Sequence, residues 1–127
     1  MKEVTSRRAS RVAQVVRESV AETLSTEIAD QQLANVVVTQ VSVSPDLTVA
    51  HIRVRVLSGQ LGDDPSRRNR ILQRLSSAQG RFKRALGPRL GLRRIPELRF
   101  DYDDAPETDQ KLEQILEEIR QDRIDRD

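Results

Sequence analysis

The side chains that this sequence offers for chemistry are above all arginines. Nineteen of its 22 basic residues are Arg, and residues 67 to 99 contain 11 basic residues against one acid, Glu97. Guanidinium groups bind phosphate through paired hydrogen bonds and lose little hydration, so such a stretch is typical of a phosphate-binding surface. A solvated face without a ligand is the alternative, and the shortage of balancing acids favours nucleic acid over it.

The residues expected to contact nucleic acid lie in three stretches of the chain. They are Arg7, Arg8, Arg11, Arg67, Arg68, Arg70, Arg74, Arg81, Lys83, Arg84, Arg89, Arg93 and Arg94. Aromatic side chains that would stack on exposed bases are scarce, since Phe82, Phe100 and Tyr102 occupy positions typical of a core. We therefore expect the protein to recognise the shape and the phosphates of structured RNA.

Other side chains with catalytic chemistry are nearly missing from the sequence. It has no Cys and a single His, His51, which excludes thiolate nucleophiles, sulfur-bound zinc and histidine-rich metal sites. Asp101 and Asp103 would share a strand face, as paired carboxylates in hydrolytic sites do, but Asp103 and Asp104 fit a strand end and a helix cap better. The sequence has no Gly-x-x-x-x-Gly-Lys-Ser/Thr loop. We expect neither an enzyme nor a bound metal or cofactor.

Length and composition are those of one compact domain. The 127 residues suffice to bury a core, and the apolar residues recur periodically although 33% of the chain is charged. The net charge is +9 over residues 1 to 99 and −7 over residues 100 to 127. No apolar run is long enough for a membrane helix, and the first residues lack the apolar segment of a signal peptide, so we expect a cytoplasmic protein that has no membrane partner.

Apolar periodicity predicts the elements that must position the arginines. Apolar residues at three- and four-residue steps predict a helix from Thr5 or Ser6 to about Asp30. The β-branched runs Val36–Val43 and Val49–Leu57 flank a segment of turn formers and predict an antiparallel hairpin.

The second of these strands alternates between two sets of side chains. Successive strand residues point to opposite faces of a sheet, so one set is expected in the core and the other on the opposite face. The first set is Ala50, Ile52, Val54 and Val56, and the second is His51, Arg53 and Arg55.

The second half of the chain is predicted to contain two central helices, a third strand and a closing helix. Asp64 and Pro65 form the N-cap and first position of the first central helix. The strand is expected over Pro96–Tyr102, and Asp104 is the expected N-cap of the closing helix. Alternating charges after Arg120 predict a frayed tail. The predicted order is α-β-β-α-α-β-α.

The segment Ala78-Gln79-Gly80 interrupts the helical pattern between the two central helices. Glycine is unfavourable inside a helix, which indicates a bend or a close approach of the backbone. Either the bend lets backbone amides reach a phosphate, or it lets two helices pack on one sheet, and both readings stay open. Gly87-Pro88 is expected to weaken or shorten the second central helix.

Four short motifs together resemble the bacterial ribosome-binding factor A family, in the right order over residues 7 to about 104. They are Arg8-Ala9-Ser10-Arg11-Val12, Val41-Ser42-Val43-Ser44-Pro45-Asp46-Leu47 with Ala50, Ala78-Gln79-Gly80, and Pro96-Glu97-Leu98-Arg99-Phe100 followed by Asp103.

The resemblance implies an α+β, type II KH-like fold, in which helices back a three-stranded sheet and the bend at residues 78 to 80 replaces the Gly-x-x-Gly loop of ordinary KH domains. It implies binding to the immature small (30S) ribosomal subunit near the decoding-side neck, contact with 16S rRNA and neighbouring proteins, and support for processing of the 16S 5′ end, notably in cold adaptation. It also implies a GTPase partner that assists release. We expect the chain to act as a monomer.

The closing helix leaves a second function open. We expect residues 1–104 to form the KH-like RNA-binding domain and residues 105–127 an acidic helix and tail that either packs on the domain or shields its basic face. The helix has an apolar stripe formed by Leu112, Ile115, Leu116 and Ile119, which a partner helix would cover in a protein-interaction adaptor. A general module for structured RNA is the remaining alternative.

Overall fold

A computed structural model defines residues 6–26, 28, 30–56, 65–104 and 106–126 of the chain. Its elements are helix α1 (Arg7–Thr26), a 3-10 turn (Gln31–Leu33), strands β1 (Val36–Val43) and β2 (Val49–Val56), helices α2 (Pro65–Ser77) and α3 (Gln79–Leu90), strand β3 (Glu97–Tyr102) and helix α4 (Pro106–Arg126). The predicted element order is confirmed. Leu57 and Asp64, predicted as a strand end and a helix cap, lie outside the described residues.

The three strands form one sheet with β2 in the centre. β1 pairs antiparallel with β2, as the hairpin predicts, and β3 pairs parallel with β2. A parallel neighbour requires a crossover connection, and the segment that contains α2 and α3 supplies it. This topology is the α+β, type II KH-like arrangement that the resemblance implies.

The core lies between the sheet and helices α1, α2 and α3. Ala50, Ile52 and Val54 of β2 are fully buried and belong to one apolar cluster with residues of all three helices. Phe82 of α3 and Phe100 of β3 contact each other there, with ring centroids 5.4 Å apart. The predicted core face of β2 is therefore confirmed, and both phenylalanines are buried as expected.

Helix α1 begins at a serine cap and ends earlier than predicted. Ser6 Oγ accepts a hydrogen bond from Ala9 N at 3.0 Å, which satisfies an amide of the first turn. Val16 and Val20 are buried, and because valine is a weak helix former, their packing stabilises the helix more than propensity does. The helix ends at Thr26, whose hydroxyl donates to a backbone carbonyl one turn earlier.

Helix α3 continues through the proline that was expected to weaken or shorten it. Pro88 lies inside the helix, which ends at Leu90. Since Pro88 is the third residue from the end, its missing N–H removes a ladder bond only in the last turn, and buried Leu86 holds that part of the helix on the core. Gly91 then ends the helix with a left-handed φ of 62°.

The outer face of β2, opposite the core, is closed at one end by polar contacts. Arg55 is only 9% exposed, and its Nη1 donates to the backbone oxygen of Asp103 at 3.1 Å. Thr39 lies at a β-bulge of β1, and its hydroxyl donates to Asp103 Oδ2 at 2.6 Å. Alternation alone correctly predicts the side of the sheet on which Arg55 lies, but not its burial.

Helix α4 is longer than the sequence predicted. It reaches Arg126, whereas the alternating charges after Arg120 predicted fraying. The segment is rich in Glu, Gln and Arg, which are good helix formers, and Arg120 Nη1 lies 3.4 Å from Glu117 Oε2 one turn earlier.

The described apolar side chains of α4 do not join the core. Ile115, Ile119 and Ile124 are 45%, 42% and 65% exposed, and Leu116 is half-buried. The side chain of Leu112, the first member of the predicted stripe, lies outside the described part. Among the described residues, no helix combines the length and the apolar character that crossing a membrane requires.

The β1–β2 turn is held by one carboxylate. Asp46 Oδ1 accepts hydrogen bonds from Ser44 Oγ at 2.7 Å, from Thr48 Oγ1 at 2.7 Å and from Thr48 N at 3.2 Å. The hydrogen bond from the Thr48 side chain, followed by that from Ser44, lowers the pKa of Asp46 below its ordinary value of 3.8. Leu47 has a φ of 63°, a strained value for leucine, and its side chain packs against the core.

We expect Asp46→Ala to lower the free energy of unfolding at neutral pH, because the turn loses its acceptor. The carboxylate's contribution is fully present above pH 3.8 and is lost as the pH falls through the lower folded-state pKa. Urea unfolding of both proteins at neutral pH and in steps below pH 3.8 measures it. A difference between the two proteins that stays constant over this range would contradict the assignment.

Candidate nucleic-acid interface

Helix α2 presents a row of arginines on the side away from the core. Ile71 and Leu75 are buried, whereas Arg70 and Arg74 are exposed and Arg67 is half-buried. Residues three and four apart lie on the same side of a helix, so these three guanidinium groups form one row.

Helix α3 continues this arrangement beyond the bend. Arg81 and Arg84, three residues apart, are exposed, and Lys83 is half-buried, while Phe82 and Leu86 face the core. Both helices thus have buried apolar side chains and exposed basic ones.

Two of the thirteen expected RNA-binding residues form ion pairs with the end of α1 or the residues after it. Arg74 Nη1 lies 2.8 Å from Asp30 Oδ2, and Arg89 Nη2 lies 2.7 Å from Glu22 Oε2. These partly exposed pairs contribute only about 0 to 1 kcal/mol each. They nevertheless give two of the expected RNA-binding guanidinium groups an intramolecular partner.

Arg68 differs from its neighbours because it faces β3. Its guanidinium carbon lies 4.5 Å above the centre of the Tyr102 ring, and its Nη1 lies 2.7 Å from Asp104 Oδ1. Its side chain is 26% exposed. Arg68 therefore joins α2 to the end of β3. Its partner Asp104, the expected N-cap of α4, lies two residues before α4 begins.

The remaining expected residues lie at other places on the surface. Arg7, Arg8 and Arg11 are exposed at the start of α1. Glu22, which pairs with Arg89 of α3, is about 17 to 22 Å further along the helix axis. Arg93 and Arg94 are exposed in the segment between α3 and β3.

We call the surface formed by Arg67, Arg70, Arg81, Lys83 and Arg84 the helical basic face. Within the described residues these five side chains form no ion pair. Like charges three or four residues apart destabilise a helix, by roughly 0.2 to 0.5 kcal/mol per pair. The repulsion between these cations lowers the stability of the free protein, and a bound anion would offset it.

The starts of the helices also lack the negative charge that helix dipoles favour. The first turns of α1, α2 and α3 contain no acidic residue, although helix N-termini favour negative charge. They contain cations instead, including Arg7, Arg67 and Arg81. Phosphate groups near these helix starts would therefore meet both guanidinium groups and helix dipoles.

The bend between α2 and α3 consists of Ala78, Gln79 and Gly80. Ala78 precedes α3 without a side-chain cap. A Cβ placed on Gly80 would meet no atom of the described residues within 4 Å, whereas one on Gly87 would lie 3.3 Å from Ile95 Cδ1. Packing thus accounts for a small residue at Gly87 but not at Gly80, which favours the reading in which the bend admits an external group.

The outer face of the sheet carries polar residues that sequence analysis did not assign to the site. Gln40, Ser42, His51, Arg53 and Asp101 line a shallow cavity of about 230 Å³ there. The alternation of β2 placed His51 and Arg53 on this face, but their neighbours come from strands whose register the sequence does not reveal.

The aspartates considered as a catalytic pair have different environments. Asp101 is exposed, whereas Asp103 is buried and accepts the hydrogen bond of Thr39. Among the described residues, no group of three or more His, Cys, Asp or Glu side chains is arranged to hold a metal ion.

Comparison with known proteins identifies the group to which this chain is related. The family model described as ribosome-binding factor A matches residues 8–116, most of the chain. The chain belongs to the ribosome-binding factor A family. Of the thirteen expected RNA-binding residues, only Arg7 lies outside the match.

Individual relatives agree with the ribosome-binding factor A assignment. The ribosome-binding factor A of Sorangium cellulosum is 36% identical over 114 residues, which are 90% of this chain and 90% of the relative. That of Solibacter usitatus is 34% identical over 114 residues, which are 90% of this chain and 89% of the relative. The resemblance drawn from four short motifs is confirmed.

A crystal structure and a fitted homology model from the ribosome-binding factor A family have the same fold. The crystal structure of the Thermus thermophilus protein has a TM-score of 0.61 and 25% identity, and the match covers 76% of this chain and 98% of that protein. A homology model of a Thermus thermophilus ribosome-binding factor A, fitted into the cryo-EM map of a 30S–RbfA complex, has a TM-score of 0.56 and 28% identity, with 74% and 92% covered.

We expect Arg68→Ala to reduce stability by about 1 kcal/mol, because it removes a partly exposed ion pair and a cation–π contact. Arg68→Lys should restore only part of this loss, since an ammonium group lacks the planar stacking surface. Urea unfolding measures both. Arg70→Ala is the control and should change the free energy of unfolding by less than about 0.5 kcal/mol. Equal losses for Arg68→Ala and Arg70→Ala would contradict the joining role of Arg68.

Proposed function

We propose that this protein binds the small ribosomal subunit through rRNA phosphates and assists its late maturation. The observation that carries the proposal is the helical basic face, where five cations of α2 and α3 lack ion pairs within the described residues. Family membership supplies the target, since a Thermus thermophilus member has been fitted into a map of a 30S complex.

The electrostatics of this face suit a ribonucleoprotein target. Each guanidinium that replaces a counterion on phosphate contributes to affinity in a salt-dependent way, without reading bases. The buried phenylalanines leave little aromatic surface for base stacking, which favours recognition of RNA shape. The other expected residues are further candidates for phosphate contact. They are Arg7, Arg8, Arg11, Arg93 and Arg94, together with the exposed parts of Arg74 and Arg89.

The finer role rests on the family resemblance alone. We propose that binding supports processing of the 5′ end of 16S rRNA, notably during cold adaptation, and that the protein acts in the cytoplasm as a non-catalytic factor. A GTPase that assists its release belongs to the same resemblance and stays a prediction.

The bend at Ala78, Gln79 and Gly80 has a specific part in this proposal. The first amides of α3 are not capped by a side chain, and Gly80 leaves open space beside them. Arg81 and Arg84 follow on the exposed side of the same helix. A phosphate placed here would receive hydrogen bonds from the backbone and charge from both side chains.

We expect Arg70→Gln combined with Arg84→Gln to weaken binding to purified small subunits at least about tenfold, because two charged contacts are lost. The slope of log affinity against log salt should fall by about 1.5. Co-sedimentation with small subunits across a salt series, repeated with complete ribosomes, measures both the slope and the preference for free subunits.

Arg17→Gln combined with Arg123→Gln is the charge-matched control. Both residues are exposed, lie outside the expected set and form no ion pair within the described part of the chain. Unchanged binding by the Arg70/Arg84 variant, or equal weakening by the control, would contradict docking through the helical basic face. The exposed isoleucines of α4 would then favour the protein-interaction adaptor.

We expect Gly80→Ala to weaken binding several-fold without loss of stability. The added methyl group meets open space in the free protein and increases helix propensity by up to about 1 kcal/mol. Urea unfolding and co-sedimentation of the same variant separate the two effects. Full binding by a stable Gly80→Ala protein would show that no group approaches this backbone closely.

A further inference from the structure

The outer face of the sheet has two rows of polar side chains that cross all three strands. In one row Ser42 of β1 and Arg99 of β3 flank His51 of β2. In the next row Gln40 and Asp101 flank Arg53 in the same way. All six residues are exposed. Residues opposite each other on neighbouring strands have Cβ atoms about 5 Å apart, so the six side chains form one continuous patch.

The arginines of this patch are available for an external partner. Neither Arg53 nor Arg99 forms a side-chain hydrogen bond or ion pair with any described residue, although Asp101 is the direct register partner of Arg53. Arg55, two residues further along β2, is buried and donates to the backbone of Asp103. The same strand therefore holds one arginine in a structural contact and leaves another exposed to solvent.

The shape and chemistry of the patch indicate the class of ligand. The cavity of about 230 Å³ lies at the base of the patch and is lined by amide, hydroxyl, imidazole, guanidinium and carboxylate groups. Guanidinium and imidazole N–H groups donate to phosphate oxygens, while carboxylate and amide oxygens accept from hydroxyl groups. The six side chains include no Phe, Tyr or Trp, so His51 has the single ring of the patch on which a base could stack. A sugar–phosphate backbone with 2′-hydroxyl groups matches this set of donors and acceptors.

We propose that the outer sheet face is a second RNA-backbone contact, in which Arg53 and Arg99 bind phosphate and Asp101 accepts a ribose 2′-hydroxyl. The inference rests on the proposed RNA-binding function and assigns it a second surface. Helices α1, α2 and α3 pack on the other face of the sheet. The core therefore separates the helical basic face from this patch. A helix layer is about 10 Å thick, which prevents one RNA strand from lying flat on both surfaces. The protein therefore joins two RNA segments.

The two possible roles of Asp101 predict opposite changes in RNA affinity when its carboxylate is removed. If it were only a negative charge beside bound phosphate, its removal would strengthen RNA binding, because like-charge repulsion would be relieved. If it accepts a 2′-hydroxyl, Asp101→Ala removes a hydrogen bond and weakens binding. We expect a several-fold weakening.

The main experiment is hydroxyl-radical footprinting of 16S rRNA in purified small subunits, with affinities measured across a salt series. The sheet variant is Arg53→Gln with Arg99→Gln, the helix variant is Arg70→Gln with Arg84→Gln, and Arg17→Gln with Arg123→Gln is the control. Each variant loses two positive charges from exposed positions, so all three variants have the same net charge. Urea unfolding verifies that each variant is as stable as the unmodified protein.

We expect the sheet variant to bind about tenfold more weakly, with the salt slope reduced by about 1.5. It should lose protection of one rRNA segment and keep the segment that the helix variant loses. Affinity and protection equal to those of the control would overturn the second contact, as would loss of the same segment by both variants. Stronger binding by Asp101→Ala would overturn the 2′-hydroxyl contact. If the unmodified protein does not bind small subunits, the proposed function fails as well, which distinguishes that result from failure of the sheet contact alone.

Discussion

Strand β2 is the element on which the rest of the structure depends. It is paired along both edges, and Ala50, Ile52 and Val54 are fully buried against the helices. A shift of one residue in its register would turn Arg53 into the core, where an unpaired charge is very unfavourable. The requirement to bury one face therefore also determines which polar side chains line the other. Core and outer sheet face are two results of the same register.

The arginines of the helices divide into those with a partner inside the protein and those left for binding. Acidic partners hold Arg74 and Arg89 where helices meet, and Tyr102 and Asp104 hold Arg68. The helical basic face has no such partners among the described residues, and cations occupy helix starts that favour anions. Local rules of stability are thus broken at several basic positions, as is usual where a protein meets its ligand.

Sequence patterns predicted the features that depend on near neighbours in the chain. Alternation and periodicity located β1, the hairpin, the bend and buried Phe82, because each has a local signature. They did not predict the burial of Arg55, since its partner Asp103 is 48 residues away. The parallel register that brings Arg99 beside His51 is likewise set by tertiary pairing, so the outer sheet patch could not be assembled from the sequence.

Helix α4 is a long arm whose described apolar side chains stay outside the core. Its 21 residues extend about 31 Å, more than twice the radius of gyration of about 13 Å expected for a 100-residue domain. The arm starts two residues after Asp104, which Arg68 holds on α2. Because of its length, a rotation of about 10° about the start of α4 would move the far end, beyond Ile124, by about 5 Å, roughly the spacing between neighbouring strands. A small angular change at the start of α4 would thus produce a large displacement at its end.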